Sequence, residues 1–156
     1  MRSKYKRFLI GAAILFTADQ IMKTYAEQEL DIKDEKKLPG PVVLRKTRNH
    51  GMFLGVLSDR PALVRGLSAI VSGVVTALQA VSLMRKDGYR RKVGLTFLSA
   101  GAWSNTFDRF VRGYVVDYIG FSFKNPKLAK ITYNLGDFFI AAGVLCMAVA
   151  GQKEAK

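Results

Sequence analysis

Asp19, Asn105, Asp108, Arg109, Asp117, Asn134 and Asp137 stand inside or beside otherwise apolar stretches of the chain. Asn105, Asp108, Arg109 and Arg112 fall at i, i+3, i+4 and i+7, one face of a helix, and Asn134 and Asp137 at i and i+3. One reading is structural: these are buried polar ties between helices, with Asp108–Arg109 and Asp19–Lys23 as charge pairs. That reading leaves Asp117 and Asp137 without a basic partner in their own segments. Two carboxylates in a partly dry site cannot both ionise easily, so one keeps a proton near neutral pH. Such a pair can take a proton from a water and give one to a leaving amine. Other chemistries have little to work with. A nucleophilic serine needs a base, and the single histidine, His50, falls in a loop. The single cysteine, Cys146, lies in an apolar run far from His50, which excludes an internal disulfide, a Cys–His pair and Cys/His metal clusters.

The elements that must hold these groups can be read from where the apolar residues sit. The chain of 156 residues is long enough for one ordinary domain. Hydrophobic residues make up 49% and charged residues 24%, which alone would suit a soluble protein. The apolar residues are segregated, however, into four stretches: 8–26, 61–84, 93–111 and 131–150. Each approaches the roughly 20 residues that a bilayer-spanning helix needs. A soluble four-helix bundle would show a polar face on each helix, and 63–84 and 138–151 are apolar all round. The expected fold is therefore mainly α and integral to a membrane. It has four transmembrane helices and a small β-sheet built from the outer loops, 27–60 and 112–130. In those loops, 42–48 and 115–123 are rich in β-branched and aromatic residues, and Pro39-Gly40-Pro41 marks a turn.

An excess of 25 Lys and Arg over 12 Asp and Glu gives a net charge of +13, which implies an anionic partner. The basic residues crowd 1–7, 85–92 and the tail, whereas those of 27–60 and 112–130 are diluted among acids. By the positive-inside rule both termini and the 85–92 loop are expected to be cytoplasmic. Once the charges are read this way no basic-aromatic surface remains for nucleic acid. The N-terminus also imitates a signal peptide, but its apolar core continues through Thr17-Ala18-Asp19-Gln20 into Ile21-Met22, so a retained first span is expected. At about 1.5 Å per residue, Asp19 lies just beyond the bilayer midplane, and Asn105, Asp108, Arg109, Asn134 and Asp137 all fall in the outer half. Asp117 sits just past the third span at the same level.

Thr17-Ala18-Asp19-Gln20 with Lys23, Arg48-Asn49-His50-Gly51 with Gly55, the stretch Gly101 to Arg109, Gly113 to Tyr118, and Tyr133-Asn134-Leu135-Gly136-Asp137 resemble, in order and spacing, the boxes of the lipoprotein signal peptidases (signal peptidase II). The resemblance covers nearly the whole chain. It implies a bacterial membrane-embedded aspartic endopeptidase that removes the signal peptide from diacylglyceryl-modified prolipoproteins, cutting before the lipidated cysteine. Carried over residue by residue, Asp117 and Asp137 are the catalytic pair. Asp19, Asn105, Arg109 and Asn134 position the pair and the substrate, and Asn49 and Gly51 lie in the outer loop against the substrate. No metal or organic cofactor is expected. The expected partners are the prolipoprotein and membrane lipids, with the chain a monomer in the cytoplasmic membrane and its site towards the outer face.

The chain departs from the family pattern at Phe53, Leu54, Ser104, Gly136 and Phe138. The dyad is untouched by these departures, but Phe53 and Phe138 can narrow or reshape the site, which leaves open a member with altered substrate range. Two other functions compete: a non-catalytic member that binds lipidated peptides, and a small proton-coupled transporter. The first is expected to lack one aspartate, and both are present. The second is expected to place polar groups at several depths, and the inner half has almost none.

Overall fold

The computed structural model describes residues 2–32, 34–52, 55–85 and 88–154. Phe53 and Leu54, singled out above, lie outside the described residues, as do Lys86 and Lys156 and the side chains of Arg2, Lys4 and Lys153. The element order is α1 (Arg2–Glu29), β1 (Glu35–Lys37), β2 (Val42–Asn49), α2 (Pro61–Met84), α3 (Tyr89–Val111), β3 (Val115–Phe121), α4 (Pro126–Ala129), β4 (Thr132–Tyr133) and α5 (Leu135–Glu154). The protein is thus mainly helical with a small antiparallel sheet in the order β1-β2-β3-β4. Helix α3 is central, packing against α1, α2 and α5.

Local sequence explains the boundaries. Pro61 opens α2 at a position where a missing N–H costs nothing. At the end of α3, Gly113 adopts φ 82° while the N–H groups of Arg112 and Gly113 both reach Asp108 O, at 2.7 and 3.2 Å. This left-handed cap turns the chain sharply into β3, so Asp117 comes to lie beside the helix that has just ended. In the β2–β3 pair, Leu44 faces Ile119 but Thr47 faces Asp117, one extra residue on β2. That bulge bends β2 at the stretch opposite Asp117.

The last apolar stretch divides where the sequence suggested one run. Thr132 and Tyr133 pair with Gly120 and Ile119 as β4, and the helix begins only at Leu135. Edge strand β1 and this two-residue β4 were not expected, because strands of two or three residues carry no readable alternation. Among the described residues, α2 alone is long and apolar enough to cross a membrane by length and composition, and 135–151 forms a shorter apolar helix stretch. In α1 and α3 the apolar runs are interrupted by Asp19, Lys23 and Glu27 and by Asp108 and Arg109.

The side chains of α2 are distributed in reverse of the ordinary arrangement in water. Ile70, Val74, Leu78 and Val81 face outward, whereas Ser68, Ser72, Gln79 and Ser82 are buried. The buried groups stitch α2 to α3: Ser72 and Thr106 hydroxyls meet at 2.8 Å, Thr106 donates to Ser68 O at 3.2 Å, and Gln79 Nε2 donates to Thr96 Oγ1 at 3.4 Å. Leu9, Ile10, Ile14 and Ile21 of α1, Phe107 and Phe110 of α3, and Val144, Leu145 and Val149 of α5 are likewise exposed.

Helices α3 and α5 approach so closely that a Cβ on Gly101 would run into Gly136 O and lie 2.9 Å from Ile140. Gly101→Ala should therefore cost about 1–3 kcal/mol through overpacking. Gly73→Ala, where a Cβ meets nothing within 4 Å, should be neutral or stabilising through helix propensity. Thermal unfolding of both variants in one detergent checks this, and equal melting temperatures would contradict the packing described.

Candidate active site

Three asparagines from three separate segments hold two carboxylates. Asn134 Nδ2 donates to Asp117 Oδ1 at 2.6 Å, and Asn49 Nδ2 donates to Asp117 Oδ2 at 3.3 Å. Asn105 Nδ2 donates to Asp137 Oδ1 at 2.9 Å, and the Asn134 backbone N–H donates to Asp137 Oδ2 at 3.1 Å. In return, Asp137 N–H donates to Asn134 Oδ1 at 2.9 Å. Asn134 is thus the N-cap of α5 and Asp137 its third residue, the reciprocal pattern of a capping box. The shared helix face read from their spacing is corrected: Asn134 stands just outside the helix. The cap does two jobs, because the amide that starts α5 also reaches β3 and binds the other carboxylate.

Behind this layer lies a buried charged cluster. Lys23 is fully buried, with Nζ 3.0 Å from Asp19 Oδ2, 3.2 Å from Asp108 Oδ2 and 2.8 Å from Asn105 Oδ1. Ser104 donates to Asp19 Oδ2 at 2.6 Å, and Arg112 pairs with Asp108. Asp108 Oδ2 also accepts the N–H of Val116 at 3.1 Å, fixing the start of β3. The expected Asp19–Lys23 pair is present, but the Asp108–Arg109 pair is corrected: adjacent helix residues point about 100° apart, so Asp108 turns to α1 while Arg109 turns to the outer loop. Arg109 Nη2 donates to Gly51 O at 2.8 Å and Nη1 to Asn105 O at 3.3 Å. Gly51 N–H in turn donates to Asn49 Oδ1 at 3.0 Å, which orients the amide that binds Asp117.

Asp117, Asp137, Asn49, Asn105 and Arg109 line one mostly apolar cavity of about 940 Å³. Ser68, Ser72 and Ala102 face them as small residues, and Tyr133 and Phe138 form an aromatic wall with ring centroids 5.9 Å apart. Among the described residues no cation forms an ion pair with either cavity carboxylate. Burial, and next the negative charge of Asp137, push the Asp117 carboxyl up to about 7, against the opposing hydrogen bonds of Asn134 and Asn49. A carboxyl that gains and loses its proton near neutral pH beside a second carboxylate can act as acid and base in one cycle.

The family model for signal peptidase (SPase) II matches residues 11–152. The chain belongs to the signal peptidase II family. It is 31% identical over 157 residues to the lipoprotein signal peptidase of Trichormus variabilis, covering 99% of this chain and 94% of the relative. It is 32% identical over 143 residues to that of Enterococcus faecalis, covering 91% and 84%. The fold matches a bacterial membrane enzyme solved by the in meso method at 2.3 Å resolution, with a TM-score of 0.82 at 21% identity over 97% of this chain and 90% of that one.

Of the residues the signal peptidase II resemblance pointed to, Asp117, Asp137, Asn49, Asn105 and Arg109 reach the cavity, while Asn134 ties the two carboxylates together from behind. Gly51 contributes its carbonyl to Arg109, and Asp19 lies one layer back against Lys23. His50 sits at the cavity edge against Tyr114, centroids 5.5 Å apart. Sequence reasoning left Asp108 paired within its own helix and gave Tyr118 no part. The available signal for Lys23 was its position four residues after Asp19. Lys23→Met leaves two buried carboxylates short of a cation and should destabilise the protein by about 3–5 kcal/mol. Arg48→Met, which removes an exposed partner of Glu27, should change stability little. Chemical denaturation of the two variants separates these expectations, and similar losses would contradict the assignment.

Proposed function

We propose that this chain is a membrane-embedded aspartic endopeptidase that removes the signal peptide from diacylglyceryl-modified prolipoproteins, cutting just before the lipidated cysteine. The observation that carries the reading is Asn134 binding Asp117 and Asp137 at once, so that the two carboxyl groups share one neutral, hydrogen-bonded setting. In the reaction, one carboxylate removes a proton from a water, whose oxygen attacks the scissile carbonyl. The protonated partner donates a hydrogen bond to that carbonyl oxygen and a proton passes to the leaving amine. Products leave the pair again with one proton between them. The donors around the pair are neutral amides, which hold the carboxyl groups in place without forcing both to ionise.

Several observations support a substrate presented from a bilayer. The four long helices expose aliphatic and aromatic side chains and bury hydroxyl and amide groups, a pattern suited to lipid surroundings. Helices α1, α2, α3 and α5 are then the four spans, with both termini and the 85–92 loop cytoplasmic and the sheet at the outer surface. The cavity is apolar enough for a lipid chain and opens beside the dyad. Relatives at about this identity bear the name lipoprotein signal peptidase. Asn49 and Gly51 meet substrate from the outer loop, and Arg109 holds that loop against the pair. On this reading the chain is a monomer of the bacterial cytoplasmic membrane that acts on lipidated prolipoprotein.

Three experiments test this reading. Asp117→Asn or Asp137→Asn alone should abolish cleavage of a diacylglyceryl-modified prolipoprotein followed by gel shift, with the double variant no worse, because residues acting as a unit are non-additive. Full cleavage by either folded single variant removes the aspartyl mechanism, and a wild type that binds such precursors without cutting them favours a non-catalytic member. Next, above the Asp117 value of about 7 both groups ionise and the shared proton is gone. Turnover should therefore fall on the alkaline side with a midpoint near that pH, and a rate still rising well above it would contradict the shared proton. Finally, in a Cys146→Ser background, an impermeant thiol reagent on whole cells should label a cysteine at Lys36 and spare one at Gly88. The reverse pattern overturns the orientation.

A further inference from the structure

Tyr118 follows Asp117 in β3 and belongs to none of the groups so far given a part in the reaction. Its side chain is 1% exposed, in a small core with Ala26, Leu30 and Val116. Two hydrogen bonds meet at its phenol oxygen. The O–H donates to Asp19 Oδ1 at 3.0 Å, and the oxygen accepts the backbone N–H of Leu135 at 3.2 Å. Leu135 is the first residue of α5, and its N–H is one of those a helix start leaves without an internal partner. Two residues later comes Asp137. Gly136 between them sits so tightly that a Cβ would come within 2.9 Å of both Asn134 Oδ1 and Asp19 Oδ2. Burial, and next the charge of Asp19, raise the phenol well above its ordinary value, so it remains a donor at every pH the protein meets.

The geometry points to Tyr118 as a positioning residue that sets the placement of Asp137 relative to Asp117 by fastening the first turn of α5 to Asp19 of α1. This inference rests on the peptidase reading and deepens it. Asn134 joins the two carboxyl groups directly, and Tyr118 locks the same turn through Leu135, from the residue next to Asp117 itself. Phenylalanine keeps the ring and its packing but leaves Leu135 N–H and one oxygen of Asp19 without their partner. The turn can then shift, and a misplacement of about 1 Å in a reacting group can cost up to roughly a hundredfold in rate. Because the charge of Asp137 helps raise Asp117, a looser pair lets Asp117 ionise at lower pH. The alkaline limb should then move to the acid side.

The test uses purified wild type, Tyr118→Phe, Leu135→Pro and the double variant, with diacylglyceryl-modified prolipoprotein, across a pH range bracketing the alkaline limb. Proline fits the first position of a helix and removes the same N–H from the other end of the bond. Tyr118→Phe should lower kcat at least about tenfold with KM within about twofold, and shift the alkaline limb to lower pH. Leu135→Pro should shift the limb in the same direction, and the double variant should shift it no further. If Tyr118→Phe does not fold, Leu135→Pro removes the same bond from the other side, and the limb shift, which lost packing of the leucine against this core does not by itself produce, carries the test. A folded Tyr118→Phe with a lower melting temperature but unchanged kcat and pH limb overturns the positioning role while leaving the peptidase reading intact. A wild type inert on the precursor overturns that reading and the role with it.

Discussion

Lys23 lies with no solvent exposure between two carboxylates that are equally buried, Asp19 and Asp108. A charge removed from water in this way is tolerable only when it is paired and its remaining hydrogen-bond positions are filled. Here Asn105, Ser104, Tyr118, Gln20 and Arg112 fill them. The two acids and the two bases of this cluster balance, so the interior carries no net charge behind the cavity. The partners come from α1, from α3 with its C-cap Arg112, and from β3. Meeting the needs of Lys23 therefore fixes the azimuth of α1 against α3, the exit of β3 from α3, and through Asn105 the orientation of Asp137.

The cavity carboxylates are handled by the opposite means. Asp117 and Asp137 receive amide donors only, and the Arg109 guanidinium lining the same cavity donates instead to the backbone carbonyls of Asn105 and Gly51. Charges are neutralised in the cluster one layer back and left unneutralised at the cavity. A cation moved forward would hold both carboxyl groups ionised, and a carboxylate moved back would leave the balanced cluster with an uncompensated buried negative charge. The separation of the two layers, with Asn105 touching both, lets one small bundle hold a paired charged core and two cavity carboxyl groups met only by neutral donors.

Much of this was legible in the sequence. Helices cover the first three apolar stretches and the fourth from Leu135 onward, the two longer strands fall at 42–49 and 115–121, and the carboxylates that lacked partners in their own segments are the ones that reach the cavity. What was hidden depended on contacts far apart in the chain. Asp108 and Arg109 looked like partners because they are neighbours, yet the helical rotation between them sends one to α1 and the other to the outer loop. Asn134 and Asp137 looked like two residues of a helix face, and only the pairing of Thr132 and Tyr133 with β3 shows that the helix starts between them. Tyr118 carried no signal, since an aromatic residue in a β-rich stretch is ordinary core by composition.

The sharp turn at Gly113 and the late start of α5 have a consequence for biosynthesis. Asp19, Lys23, Asn105 and Asp117 leave the ribosome before Asn134 and Asp137, so a nascent chain can assemble the charged core while it still lacks half of the cavity pair. Only when the final helix docks against α3 do the two carboxyl groups meet. A chain synthesised only as far as β3 therefore holds the charged core and one cavity carboxylate, and the second joins it only through the contact between α3 and α5.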